Sequence, residues 1–208
     1  ISGKVAVAGI AETDYVRGAE LSVPELILQA SMAAIADAGL RPADVDAVLP
    51  PPGFISTEEI AAHLGIPEVR YSVTVHMGGA SPTASLQSAA MAIACGLADV
   101  ALVTLGWNGY SALRPRPDAR PSRRRMDMGP FVETARNFYA PYGVRSAAQW
   151  YAFYLMRYVQ TYGIEPTDAA AVALACRRHA QHNERALLRG RELTLDEYLA
   201  SPYIAEPL

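Results

Sequence analysis

Cysteine is scarce in this 208-residue chain: only Cys95 and Cys176 occur, with no CxxC or HExxH pattern. That favours free thiols over a disulfide framework and gives a metal site little support. No apolar run approaches the roughly 18–20 residues of a membrane span. The opening ISGKVAVAGI lacks the basic-then-apolar build of a secretory leader. Charge of one sign is lacking too. Eighteen Lys and Arg against 21 Asp and Glu give a net charge of −3, so nothing global calls for nucleic acid or anionic lipid as a partner. Both cysteines fall in predicted helices, which reads as two buried free thiols in a reducing, cytoplasmic setting.

About half of the residues, 51%, are apolar, enough for a sizeable core. Lys4 to Ile10 alternates and predicts a first strand. Val23 to Gly39 has apolar residues at helical spacing behind Ser22 and Pro24. Val45 to Leu49 is a short apolar strand stopped by three prolines. Ser56 opens a helix with Glu59 three residues on, a capping box. Tyr71–Met77, Pro82–Ala94 and Val100–Leu105 then complete an order of strands alternating with helices. That order predicts an α/β fold with a mostly parallel sheet covered on both faces.

The pattern changes beyond Gly106. Residues 108 to 129 carry prolines, glycines and six arginines with little apolar periodicity, and read as a long loop. Helices are expected over Ser146–Tyr162, Thr167–Leu188 and Thr194–Leu199. The chain therefore divides near residue 107, into an α/β core over 1–107 and a helical, loop-rich lobe over 108–208. Trp150, Tyr151, Phe153, Tyr154, Tyr158 and Tyr162 recur at helical spacing, and core packing accounts for them better than a steroid-binding stripe. His179 and His182 have no third ligand nearby and read as surface residues.

The segment Tyr71–Gly106 carries the chemistry. An alternating run breaks at Gly78-Gly79, and Ser81-Pro82 starts a helix of small residues. Ser81 reads as the cap of that helix, leaving the N–H groups of Gly79, Ala80 and Thr83 at its mouth. Such a mouth favours negative charge, phosphate or a developing oxyanion alike. Read alone, the turn equally suits a simple joint between strand and helix. A nucleophile elbow at Ser81 fits poorly, because Pro82 and Thr83 stand where that motif needs other residues. His76 reads by strand parity as a core or interface histidine before a catalytic one.

Several stretches together carry a resemblance. VAVAGIAETDY, DAGLRPADVDAV, the turn at 76–83, Ala94-Cys95-Gly96, RRHAQHNERA and SPYIAEPL resemble the thiolase superfamily in order and spacing. They are most similar to the branch of the sterol-carrier-protein thiolase and the bacterial lipid-transfer proteins. The resemblance implies the first half of a thiolase, with the second, similar half not present in this chain. It also places Gly79 where a thiolase carries its nucleophilic cysteine. A glycine cannot be acylated.

The sequence His76-Met77-Gly78-Gly79 resembles the turn of cysteine-less, thiolase-like aldolases that cleave steroid side chains on coenzyme A. This implies retro-aldol cleavage of a β-hydroxyacyl-CoA, in which Gly78 and Gly79 offer N–H groups to the enolate. His76, Gly78 and Gly79 are thus the candidate catalytic positions. The base is implied to lie in the second half. Two alternatives stand beside the lyase: a non-catalytic acyl-CoA- or lipid-binding protein, and an acetyl-CoA acetyltransferase-like acyltransferase. No permanently bound cofactor is expected; coenzyme A enters with the substrate. Arg123, Arg124 and Arg125 are the candidates for gripping its phosphates, against a solvated loop or a partner contact. The resemblance further implies a homodimer through Tyr71–Met77 and the following helix. It also implies a small partner carrying an OB-fold and a zinc ribbon.

Overall fold

Three strand starts meet at one carboxylate, and the sheet is organised around it. In the computed structural model, which describes residues 2–16, 20–109 and 133–207, Asp46 accepts the N–H groups of Asp99 and Val100 at 2.9–3.0 Å. It also accepts Arg70 Nη1 at 2.9 Å, and Arg70 reaches on to Asp99 and to the Gly96 carbonyl. Asp46 precedes β1 (Ala47–Leu49), Arg70 precedes β2 (Tyr71–Ser72), and Val100 precedes β3 (Ala101–Val103). The three strands are parallel in the order β2-β1-β3, with Ala47 opposite Tyr71 and Ala101. Burial raises the Asp46 pKa most, but the two N–H groups and the Arg70 guanidinium outweigh it and hold the carboxyl below its ordinary value.

The central strand is fully buried, and alternation sends its side chains to two cores. Val48 and Leu102 join Ile27, Ile35, Val45, Ile55, Ile60 and Ile66 under α1 (Val23–Asp37) and α2 (Thr57–Leu64). Ala47 and Leu49 pack with Ala89 and Ala98 beneath α3 (Ser81–Ala94) on the opposite face. The caps foreseen from sequence close as written. Ser22 and Glu25 reciprocate at 3.4 and 2.7 Å, and Ser56 and Glu59 at 3.2 and 2.8 Å.

The strands are shorter than the sequence predicts. Pairing in β2 stops at Ser72, so the expected strand Tyr71–Met77 is a strand only over its first two residues. The cause lies on its neighbour: β1 runs into Pro50-Pro51-Pro52, which have no N–H to donate. The predicted first strand, Lys4–Ile10, forms no strand among the described residues. It leans on α1, where Gly9 fits against the Ala34 carbonyl and Ala38, and the Ile10 N–H donates to Asp37 at 2.9 Å.

The chain divides into two compact units, 1–129 and 130–208, whereas the sequence expectation puts the division at residue 107. The second unit holds α4 (Ala147–Tyr162), α5 (Pro166–Ala180) and α6 (Leu195–Leu199). Gly163 ends α4 in the left-handed conformation at φ 64°, and Thr194 and Glu197 cap α6 reciprocally. In α5 and the loop beyond it, Gln181 receives the Gly190 N–H at 2.7 Å and Arg177 donates to the carbonyls of Arg191 and Glu192. The core role expected for the α4 aromatics fails. Tyr151, Phe153, Tyr154, Tyr158 and Tyr162 are exposed, and burial falls on the small Ala152 instead. Trp150 is half-buried and meets Tyr139 edge-on at 4.1 Å.

Candidate functional site

The turn between the β2 extension and α3 lies at the carboxyl end of the parallel sheet, the end where such sheets place their ligands. Its geometry begins with Gly78, whose φ of +57° puts it in the left-handed region open to glycine. Gly78, Gly79 and Ala80 form one turn of 3₁₀ helix that feeds directly into α3. The Ala80 N–H donates to the Met77 carbonyl at 3.2 Å, and the Ser81 N–H to the Gly78 carbonyl. Among the described residues, neither the Gly78 nor the Gly79 N–H has an acceptor. Both glycines are exposed.

Ser81 corrects the sequence reading. It is the first residue of α3 rather than its cap, and Ala80 precedes it in helical conformation with no side-chain cap. The Ser81 hydroxyl points back and accepts the Met77 N–H at 2.9 Å, with Ser81 itself only 4% exposed. The inserted 3₁₀ turn moves the helix start, so the side chain expected to face the α3 amides instead locks the approach to the glycines. The Ala80 N–H expected at the open mouth is consumed within the turn. Sequence could not show either, because both follow from the φ of Gly78.

His76 is exposed on the segment between β2 and the turn, not placed in the core. Cys95 and Cys176 are also exposed, which overturns their expected burial. Cys95 follows the last turn of α3, and a helix of 14 residues separates it from the turn by about 20 Å. No thiol therefore reaches the turn from within this element. Arg123, Arg124 and Arg125, the candidates for coenzyme A phosphates, lie outside the described residues. A cavity of about 310 Å³ opens two residues before His76, lined by Phe54, Ile55, Ser56, Glu59 and Thr74 among others. Among the described residues no group of three His, Cys, Asp or Glu is placed to hold a metal, and no helix is long and apolar enough to cross a membrane.

Comparison with known proteins supplies the context of this turn. Residues 5–190 match the family described as thiolase, N-terminal domain. A steroid side-chain-cleaving aldolase of Thermomonospora curvata is 35% identical across all of this chain and 53% of its own length. A 17-hydroxy-3-oxo-4-pregnene-20-carboxyl-CoA lyase of Mycobacterium tuberculosis is 33% identical, again across the whole chain and 53% of the relative. An acetyl-CoA acetyltransferase of Methanothermobacter thermautotrophicus is 27% identical over 98% of the chain. Among solved structures, the Ltp2-ChsH2(DUF35) aldolase superposes with a TM-score of 0.83 at 33% identity, covering 98% of this chain and 50% of its own. The chain thus spans about half the length of the curated relatives it matches. Residue match and backbone agree: this chain belongs to the thiolase family and carries its N-terminal domain.

Proposed function

We propose that the protein containing this chain is a lyase that cleaves a β-hydroxyacyl-CoA by a retro-aldol step, with no cysteine nucleophile. One observation carries the reading. The turn at the mouth of α3 offers two N–H groups without acceptors in the described chain, at Gly78 and Gly79, and no thiol beside them. Acyl transfer through an acyl-enzyme needs the thiol; a retro-aldol cleavage needs only the donors and a base. The two relatives named as an aldolase and a lyase support the same choice over the more distant acetyltransferase.

The step balances without a redox partner. A base takes the proton of the β-hydroxyl, whose electron pair becomes the new carbonyl. The Cα–Cβ bond breaks, and its electron pair passes into the thioester as an enolate. We assign the Gly78 and Gly79 N–H groups the role of donors to that enolate oxygen. Protonation at Cα then releases a shortened acyl-CoA, with an aldehyde or ketone as the second product. The base is assigned to no residue of this chain. His76 is the titratable side chain nearest in sequence to the donors and is the one to vary.

Arg123, Arg124 and Arg125 are proposed to grip the coenzyme A phosphates, since guanidinium forks match phosphate geometry. A homodimer through Tyr71–Met77 and the following helix is proposed, supported by β2 being an edge strand of the described sheet. A second protein component is proposed as well, supported by the similar solved structure whose name joins Ltp2 and ChsH2(DUF35).

The test is incubation of the full-length protein with a panel of acyl- and β-hydroxyacyl-CoA esters, with products read by mass. A shortened acyl-CoA together with its carbonyl co-product is expected. Binding without turnover on every ester would favour a lipid- or acyl-CoA-binding role, and acetyl transfer to free coenzyme A would favour the acyltransferase.

A further inference from the structure

Leu174, Arg177, Arg178 and Gln181 follow one another at i, i+3, i+4 and i+7, one continuous face of α5 and its C-cap. The chain that returns along this face, from Glu192 to Leu195, leaves a cavity of about 300 Å³ between them. Two of the four side chains hold that return in place. Arg177 Nη1 donates to the Arg191 and Glu192 carbonyls at 3.1 and 3.4 Å. Gln181 Nε2 donates to the Leu188 carbonyl at 3.2 Å, and Gln181 Oε1 accepts the Gly190 N–H at 2.7 Å. All these bonds end on main chain, so the walls are tied together before any ligand arrives.

Arg178 takes no part in that bracing. It lines the same cavity, is exposed, and its guanidinium makes no hydrogen bond or ion pair among the described residues. A cation in the last turn of a helix favours the helix by itself, and Arg177 and His179 stand there as well. That accounts for charge at this end of α5. It does not account for a guanidinium without a carboxylate on the wall of a cavity whose other lining includes Leu174, Leu193 and Leu195. Glu192 is the one acid of the lining, against two arginines.

We propose that this cavity is a binding site for a small monocarboxylate with an apolar body. Arg178 receives the carboxylate, and the three leucines receive the alkyl part. The class follows from the lining. A planar guanidinium fork matches a carboxylate through two parallel bonds. The leucines offer apolar area that a bare inorganic anion cannot use. Two arginines against one glutamate disfavour a cation. Small-ligand sites span roughly 300–1,000 Å³, and this one stands at the low end of that range, which suits a short chain rather than a polycyclic body. The site lies wholly within the second unit and does not rest on the lyase reading.

The experiment titrates full-length protein and Arg178→Gln with hexanoate, 1-hexanol and inorganic phosphate, followed by ligand-observed NMR. Circular dichroism confirms that the variant is folded. Hexanoate is expected to bind saturably, with a dissociation constant of about 1 mM or tighter. Arg178→Gln should weaken hexanoate about tenfold or more and leave 1-hexanol unchanged, since only the acid uses the guanidinium. No saturation by hexanoate up to about 10 mM, or equal hexanoate affinity in the variant, overturns the site. Binding of 1-hexanol as tight as hexanoate in the wild type overturns the carboxylate role of Arg178. Inorganic phosphate that displaces hexanoate at equal concentration overturns the role of the leucines.

Discussion

The Ser81 hydroxyl accepts the Met77 N–H at 2.9 Å across the four-residue turn that contains both exposed glycines. This bond ties the residue before the glycines to the first residue of α3, and so braces the turn that carries the Gly78 and Gly79 amides. Ser81→Ala removes the acceptor from a nearly buried position. We expect a stability loss of about 1–2 kcal/mol, seen as a lower denaturant midpoint with an unchanged slope. Turnover should fall further than stability does, since the donors lose their anchor. A fully active Ser81→Ala protein would show that the turn holds its shape unaided.

The Asp46 hub gives the fold an acid limit. Its carboxyl lies below the ordinary value in the folded state, so its contribution is fully present above the unfolded pKa of about 3.9. It is lost as pH falls through that value and then through the lower folded pKa. Midpoints from urea titrations between pH 7 and pH 3 should therefore drop most steeply below about pH 4. Asp46→Asn should be less stable at neutral pH by about 2–3 kcal/mol, with a flatter acid limb. An Asp46→Asn curve parallel to the wild type would place the acid sensitivity elsewhere.

Thiol chemistry separates the two functional classes. Both native cysteines are exposed, so iodoacetamide should modify Cys95 and Cys176 while turnover persists. Gly79→Cys should add a thiol at a helix mouth, where thiolate is favoured, and alkylate faster at neutral pH than free cysteine does. Loss of native turnover in step with Cys95 alkylation would contradict the position given to the site.

Packing at the far end of β3 offers a coupled pair. A Cβ on Gly106 would overlap Ile27 Cγ1 and lie 3.0 Å from Cδ1, and Ile27 is 1% exposed. Gly106→Ala should cost about 1–3 kcal/mol and Ile27→Ala about 2–5 kcal/mol. The double variant should lose clearly less than the sum, because the new methyl partly fills the cavity. Strict additivity in thermal or chemical melts would mean the two do not share that space.

The proposed homodimer is checked by light scattering of the full-length protein across a dilution series. A dimer mass is expected, and Val75→Pro on the unpaired segment should weaken it by removing an N–H from the edge. A mass equal to the monomer at every concentration would refute it.

The residue pattern by itself determined what is decided within a few positions along the chain. The pairs Ser22/Glu25, Ser56/Glu59 and Thr194/Glu197 close helix starts over three residues, and Gly163 ends α4 through its own φ. Strand–helix alternation gave the parallel sheet, and the missing cysteine at Gly79 was visible without coordinates. Tertiary structure decided what depends on distant partners. A strand exists only where a neighbour can pair with it. Lys4–Ile10 finds none among the described residues, and β2 pairs with β1 only as far as Ser72, shortly before β1 runs out into three prolines. Exposure of the α4 tyrosines and of Cys95 depends on what packs over each helix, which periodicity does not state. Ser81 shows the same limit at the site. Its hydroxyl faces Met77 and not the α3 amides because Gly78 takes a left-handed turn first, and no local preference of Ser-Pro could reveal that. Local hydrogen bonds are encoded by spacing; register, burial and the direction of a side chain follow from the hydrogen bonds and contacts that remote segments supply.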